Sequence, residues 1–168
     1  MQQLSFDPRD PVFEYEGWRL SLQVITYENV YGTTIGAFQQ ETDRTTVAGG
    51  GLAQIGGQQQ AAGGWEVFLQ QRDDGIRAEV NANAPADIRC TKLIVSGLPP
   101  STLIGHRFAR EQVRRGGTTV HYPLTTHTAL IFLDLGEGEY IYFESEDTAV
   151  GAKRFTVMQR DDGIAVEL

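Results

Sequence analysis

The stretch WRLSLQVIT, residues 18–26, decides the fold class, because large apolar side chains occupy alternate positions over most of its length. Side chains two residues apart lie on the same face of a β-strand, so this period predicts a strand with one buried face. The same alternation returns over residues 65–69, 76–80 and 164–168. Helical spacing is scarce, and the pattern therefore predicts an all-β chain with little helix.

Two further runs, Ile88–Val95 and Ala129–Leu135, are almost continuously apolar, which predicts central strands that are covered on both faces. Gly136-Glu137-Gly138 directly follows the second run and is a hairpin signal. Cys90 lies in the first run and is expected to be a buried, inert thiol. Many short strands joined by Gly, Pro and Asp turns predict an antiparallel β-sandwich, with a β-barrel as the alternative.

The hexapeptide QRDDGI occurs twice without change, at residues 71–76 and 159–164. Asp-Gly between alternating segments is a strong hairpin signal, because glycine adopts a positive φ without steric cost. Two interpretations stay open. Either the two hairpins share only their turn chemistry, or the chain consists of two related halves, before and after residue 80, that each end in this hairpin. Different backbone arrangements in the two hairpins would exclude the second interpretation.

Residues 45–64 are expected to form a flexible loop that is rich in Gly and Gln. Over residues 49–64 the only large apolar side chains are Leu52 and Ile55, which is too little buried surface to offset the loss of conformational entropy. The glycines lack the spacing of a phosphate-binding loop. With this loop included, residues 1–168 are expected to form a single β-sandwich domain.

The composition argues against several functional classes. A formal net charge of −8, from 14 basic and 22 acidic residues, disfavours nucleic acid and anionic membranes as partners. A single cysteine, Cys90, forms neither an internal disulfide nor a cysteine-based zinc site. The N-terminus lacks the features of a signal peptide, and no apolar run approaches the ~20 residues of a membrane helix. We therefore expect a cytoplasmic protein that needs no cofactor.

The three histidines, His106, His121 and His127, do not predict a metal site. On one strand His121 and His127 would share a face but lie about 20 Å apart, too far to bind a single ion. Only a bend at Pro123 would bring them together. Surface or hydrogen-bonded histidines are the expected state.

Catalytic signatures are weak. A glycosidase needs two carboxyl groups about 5–9.5 Å apart, and the acidic residues that begin at Glu144 are explained more simply as a polar turn. The sequence contains no G-x-S-x-G elbow and no Ser or Cys in a nucleophile context. One enzymatic alternative stays open: a small hydrolase or isomerase in which Glu144 or Asp147 works with His121 or His127 at the mouth of a β-barrel.

Residues 106–115 reverse the sign of the charge locally. If this segment is a short helix, Arg107, Arg110 and Arg114 lie on one side of it. Guanidinium groups at that spacing can hold a phosphate or a carboxylate, or face an acidic neighbouring domain. A solvated segment whose charges are balanced by nearby carboxylates is the simpler interpretation. The three arginines are nevertheless the best candidate for a docking edge.

Tyr140 and Tyr142 alternate with Ile141 and Phe143. If Ile141 and Phe143 face the core, the two tyrosines stand side by side on the outside. Flat rings with a polar tip pack well against the apolar faces of sugars and are common at recognition surfaces. A second core layer or a domain interface is the simpler interpretation of these rings.

The two RDDGI hairpins and the final segment YIYFESEDTAVGAKRFTVMQRDDGIAVEL, residues 140–168, resemble N-terminal β-sandwich domains of bacterial glycoside hydrolases of the α-galactosidase kind. The resemblance covers roughly the last eighty residues and includes no diagnostic motif, so it transfers no catalytic residue. It implies a supporting or sugar-contacting domain, with the catalytic domain elsewhere. An apolar strand that runs to Leu168 without a polar tail leads to the same expectation of a further, C-terminal domain.

These observations predict a non-catalytic β-sandwich module of a larger carbohydrate-active enzyme, which supports the catalytic domain or contacts carbohydrate. Its predicted ligand-binding residues are Tyr140, Tyr142, Arg107, Arg110 and Arg114, and no catalytic residue is assigned. Two alternatives from other classes stay open: the small enzyme described above, and a structural oligomerisation domain.

Overall fold

The structure is a computed structural model that describes residues 5–7, 12–42, 45–56, 59–101, 103–106, 109–114, 116–146, 152–161 and 163–167. Within these ranges the regular structure consists of β-strands, which confirms the predicted all-β class. No helix in these ranges is long and apolar enough to cross a membrane. The strands are β1 (Ser5–Asp7), β2 (Val12–Tyr15), β3 (Trp18–Thr26), β4 (Val30–Thr42), β5 (Thr45–Gln54), β6 (Gln60–Arg72), β7 (Gly75–Asn83), β8 (Ile88–Leu98), β9 (Leu103–His106), β10 (Arg110–Gln112), β11 (Thr118–Tyr122), β12 (Thr128–Gly136), β13 (Glu139–Glu146), β14 (Lys153–Arg160) and β15 (Gly163–Glu167).

The chain forms two compact units, Met1–Leu93 and Ile94–Leu168, called unit 1 and unit 2 below. In unit 1, β3 to β7 follow one another through the sheet as antiparallel neighbours. β1 pairs with β2, and β2 pairs with β3. Leu20, Leu22 and Val24 of β3 are all buried. The period of two that predicts this strand therefore also selects its core face.

The prediction of a flexible loop at residues 45–64 is wrong, because β5 and the beginning of β6 occupy most of this segment. β5 pairs with β4 on one side and with β6 on the other, so the sheet satisfies its backbone hydrogen bonds. Ala48 and Leu52 are buried, and a Cβ atom on Gly64 would lie 2.9 Å from the carbonyl oxygen of Gly50. Close approach of glycine backbones thus replaces the side-chain burial that the composition lacks.

Unit 2 contains two groups of paired strands. The first group has the order β11-β14-β15-β8, and it is the second half of β8 that pairs with β15. The second group is a separate four-stranded sheet of order β10-β9-β12-β13. Both groups contain buried apolar side chains, such as Phe155 in the first and Ile131 and Leu133 in the second. The hydroxyl group of Tyr122 on β11 donates a hydrogen bond to the carbonyl oxygen of Leu130 on β12 and so links the two groups. These antiparallel sheets are consistent with the predicted β-sandwich and with the β-barrel alternative.

The two QRDDGI copies form hairpins with the same register. Arg72 lies opposite Gly75 in the first hairpin, and Arg160 lies opposite Gly163 in the second. Both glycines have positive φ values, +152° and +124°, as the turn chemistry predicts. Each unit contains one copy. The matching geometry leaves the hypothesis of two related halves standing as a prediction.

Two predictions about apolar runs are wrong. Cys90 is exposed rather than buried, and so are its neighbours Arg89 and Thr91 in the first half of β8. β12 is buried on one face only, since Leu130 is exposed while Ala129 is fully buried. Apolar composition alone did not reveal that this strand alternates.

We expect the Tyr122→Phe substitution to lower the free energy of unfolding by about 1 kcal/mol, because it removes the part-buried hydrogen bond to the carbonyl group of Leu130. Urea unfolding followed by far-UV circular dichroism measures this change. Tyr142→Phe, which removes a hydroxyl group from an exposed ring, is the matched control and should change stability by less than about 0.5 kcal/mol. Equal losses in the two variants would contradict the assigned role of Tyr122.

Candidate functional site

The outward face of the four-stranded sheet in unit 2 carries the best candidate site. Arg110 on β10 lies opposite Gly105 on β9. Phe132 on β12 is the other neighbour of Gly105, and it in turn lies opposite Tyr142 on β13. Ile131, which precedes Phe132, is fully buried, so the alternation of the strand places this row of residues on the opposite face.

The ring of Phe132 lies across Gly105. A Cβ atom on residue 105 would lie 1.9 Å from Cζ of this ring, a distance that a side chain cannot adopt. The glycine therefore provides the space in which the ring packs against β9. An aromatic ring over a glycine on the neighbouring strand also shields the backbone that glycine leaves uncovered.

Phe132, Tyr140 and Tyr142 form a continuous group of rings, called the aromatic platform below. The ring centroid of Phe132 lies 5.5 Å from that of Tyr140 and 5.9 Å from that of Tyr142, and the two tyrosine centroids are 6.3 Å apart. Tyr140 is 37% exposed and Tyr142 is 61% exposed, whereas Phe143 is buried. The alternation in β13 thus places both tyrosines outside and side by side, as expected.

Arg110 extends the aromatic platform on the side away from β13. Its guanidinium carbon lies 5.7 Å from the centroid of the Phe132 ring, within the range of a cation–π contact. Glu111 points to the other face of β10, because it lies opposite the buried Ile104 and its carboxylate is 3.2 Å from Nε2 of His106. The structure therefore brings together three of the predicted site residues, Arg110, Tyr140 and Tyr142.

The predicted arginine helix is wrong. Residues 110–112 form the short strand β10, so the three-and-four spacing of a helix does not apply to them. Arg114 lies in the exposed segment after β10, where its backbone N–H donates to Oγ1 of Thr118. Arg107 lies outside the described residues. Of the two predicted arginines that the structure describes, Arg110 is the one placed against the aromatic platform.

The residues of the enzymatic alternative are spread over three places. His121 lies on β11, His127 in the turn before β12 and Glu144 on β13, and all three are exposed. Among the described ranges no hydrogen bond or ion pair joins Glu144 to either histidine, and no cluster of three His, Cys, Asp or Glu side chains is arranged to hold a metal ion. Asp147 lies outside the described residues.

Phe132 and Gly105 are the site residues that the sequence patterns did not single out. Phe132 lies in the run Ala129–Leu135, whose almost continuous apolar composition predicts burial on both faces and so does not mark any residue as outward-facing. Its strand is joined to β13 by the hairpin at Gly136-Glu137-Gly138, and this pairing puts Phe132 opposite Tyr142. Consistent alternation in β12 is therefore the signal that could have found Phe132. Gly105 left no comparable signal, because its role depends on a ring from another strand.

In comparisons with known proteins, no family model, no curated protein and no solved structure matches this chain at a significant level. The candidate site is therefore defined by the geometry of unit 2.

Proposed function

We propose that this chain is a non-catalytic β-module that contacts carbohydrate through the aromatic platform, as an accessory part of a larger carbohydrate-active enzyme. The observation that carries the proposal is the group of three touching rings on the outward face of a sheet. Exposed aromatic rings that touch one another need an explanation, because isolated exposed rings are common but contiguous apolar surface marks binding sites.

The chemistry of the platform suits a sugar. One face of a pyranose ring presents mainly C–H groups, which pack on aromatic faces, while its hydroxyl groups point sideways toward polar partners. Gln112, Asp134 and Glu144 lie two residues along their strands from the central row, and alternation places them on the same outward face. Amide and carboxylate oxygens at these places accept hydrogen bonds from sugar hydroxyl groups.

The platform is also organised before a ligand arrives. Its rings stand on paired strands rather than on loops, and Phe132 is held between Gly105, Arg110 and the two tyrosines. Binding therefore costs little side-chain entropy. The row from β10 to β13 crosses three strand spacings, about 14 Å, which is the reach of an oligosaccharide rather than of a single sugar.

We expect Tyr142→Ala to weaken oligosaccharide binding about fivefold, because an aromatic stacking contact contributes on the order of 1 kcal/mol beyond its buried area. Heteronuclear NMR measures this during titration with neutral and acidic oligosaccharides at millimolar concentration. The expected signature in the wild-type chain is a set of shifted signals from Phe132, Tyr140 and Tyr142.

The matched control is Tyr27→Ala, which removes a 77% exposed tyrosine from unit 1 and should leave binding unchanged. If no oligosaccharide shifts any platform signal at millimolar concentration, the proposed function is wrong.

A further inference from the structure

Arg110 is the feature of the candidate site that distinguishes one class of sugar from another. Its side chain is exposed, and the carboxylate nearest to it in sequence, on Glu111, pairs with His106 on the opposite face. No other carboxylate of the described residues forms an ion pair with Arg110. In a chain with a net charge of −8, this guanidinium group is a local positive charge beside the aromatic platform.

We infer that the aromatic platform binds oligosaccharides that contain uronic acids, with the sugar carboxylate held by Arg110. This inference rests on the proposed function and names its ligand class. The guanidinium carbon of Arg110 lies 5.7 Å from the centroid of the Phe132 ring, beside the aromatic platform. A guanidinium group carries its N–H donors in its own plane, and their fork matches the two oxygens of a carboxylate.

The geometry also gives the ligand a direction. The carboxylate of a uronic acid is attached to the edge of the pyranose ring, so a ring stacked on the aromatic platform can present it sideways to Arg110. Glu144 lies at the other side of the sheet on β13, about 14 Å away across three strand spacings. A uronic acid residue therefore belongs at the β10 side, where it meets the positive charge, and away from Glu144, which would repel it.

Matched ligands separate this inference from the proposed function. The probes are tetrasaccharides of galacturonic, glucuronic and mannuronic acid, each compared with its carboxyl-reduced form, which keeps the same linkages but carries no charge. Titration calorimetry and NMR on the full chain measure the affinities. We expect at least one uronate tetrasaccharide to bind ten times more tightly than its reduced form.

We expect Arg110→Gln to remove most of this tenfold preference while leaving the affinity for the reduced form within twofold of wild type. Arg110→Lys should restore only part of the preference, because an ammonium group cannot form the two-pronged contact. Arg114→Gln is the matched control: it removes the same charge from the same segment without touching the platform rings and should keep the preference.

Three results would overturn the inference. Equal binding of acidic and reduced tetrasaccharides would exclude a carboxylate site while leaving the proposed function intact. Equal losses in Arg110→Gln and Arg114→Gln would replace a specific contact with general electrostatic attraction. Failure of every oligosaccharide to bind would overturn both the inference and the proposed function. Far-UV circular dichroism shows that each variant keeps its strands.

Discussion

Ile164→Ala is expected to lower the free energy of unfolding by about 3 kcal/mol, the largest effect of any truncation within the repeated hexapeptide. Ile164 is 1% exposed and lies among the buried strands of unit 2, where β15 pairs with β14 and β8. Removal of its side chain therefore leaves a cavity that the surrounding strands close only in part. Urea unfolding followed by far-UV circular dichroism measures the loss.

The sequence provides an unusual control, because Ile76 occupies the same place in an identical hexapeptide. Ile76 is only half-buried, and β7 pairs with β6 as its described neighbour. Ile76→Ala should cost about 1 kcal/mol, since less apolar surface leaves water there. Tryptophan fluorescence follows this variant directly, because both tryptophans lie in unit 1. Similar losses in both variants would show that the two hairpins have equivalent surroundings.

Gly163→Ala is expected to cost about 3 kcal/mol, from two sources that add. Its φ of +124° is unfavourable for alanine by about 1–2 kcal/mol. A Cβ atom there would also lie 2.4 Å from the carbonyl oxygen of Leu98, and relief of such overpacking costs about 1–3 kcal/mol because a backbone group must move. Thermal and urea unfolding measure the sum.

Gly75→Ala separates the two sources. Gly75 also has a positive φ, but a Cβ atom on it would meet nothing within 4 Å. Its replacement should therefore carry only the backbone cost, about 1–2 kcal/mol. If Gly163→Ala were no more costly than Gly75→Ala, the close approach of Leu98 to the second hairpin would be wrong.

The candidate site was predictable where it depends on alternation within one strand. Tyr140 and Tyr142 lie on the outside because they alternate with Ile141 and the buried Phe143, and the sequence shows that period directly. Arg110 was found for a different reason, since the local excess of arginine marked its segment although the expected helix is a strand. Arg114 shows the limit of this signal, because composition cannot tell which arginine faces a neighbouring ring.

Two of the errors rest on composition alone. The glycine-rich segment that becomes β5 looked too poor in apolar side chains to fold, yet it is held by backbone hydrogen bonds to strands on both sides. Cys90 was expected to be buried because it lies in the run Ile88–Val95, which is rich in apolar residues, yet it is exposed. For β5 the deciding neighbours lie on other strands, β4 and β6.

By itself, the sequence determined the all-β class, the two Asp-Gly hairpins and the outward tyrosine pair, because each follows from the period of a strand or from the φ of a glycine. Only the tertiary structure decided that Gly105 makes room for Phe132 and that Arg110 reaches this ring. It also decided that, within identical hexapeptides, Ile164 is buried in a core whereas Ile76 is only half-buried. These outcomes depend on which strands become neighbours, and strand pairing joins residues that are distant in the chain.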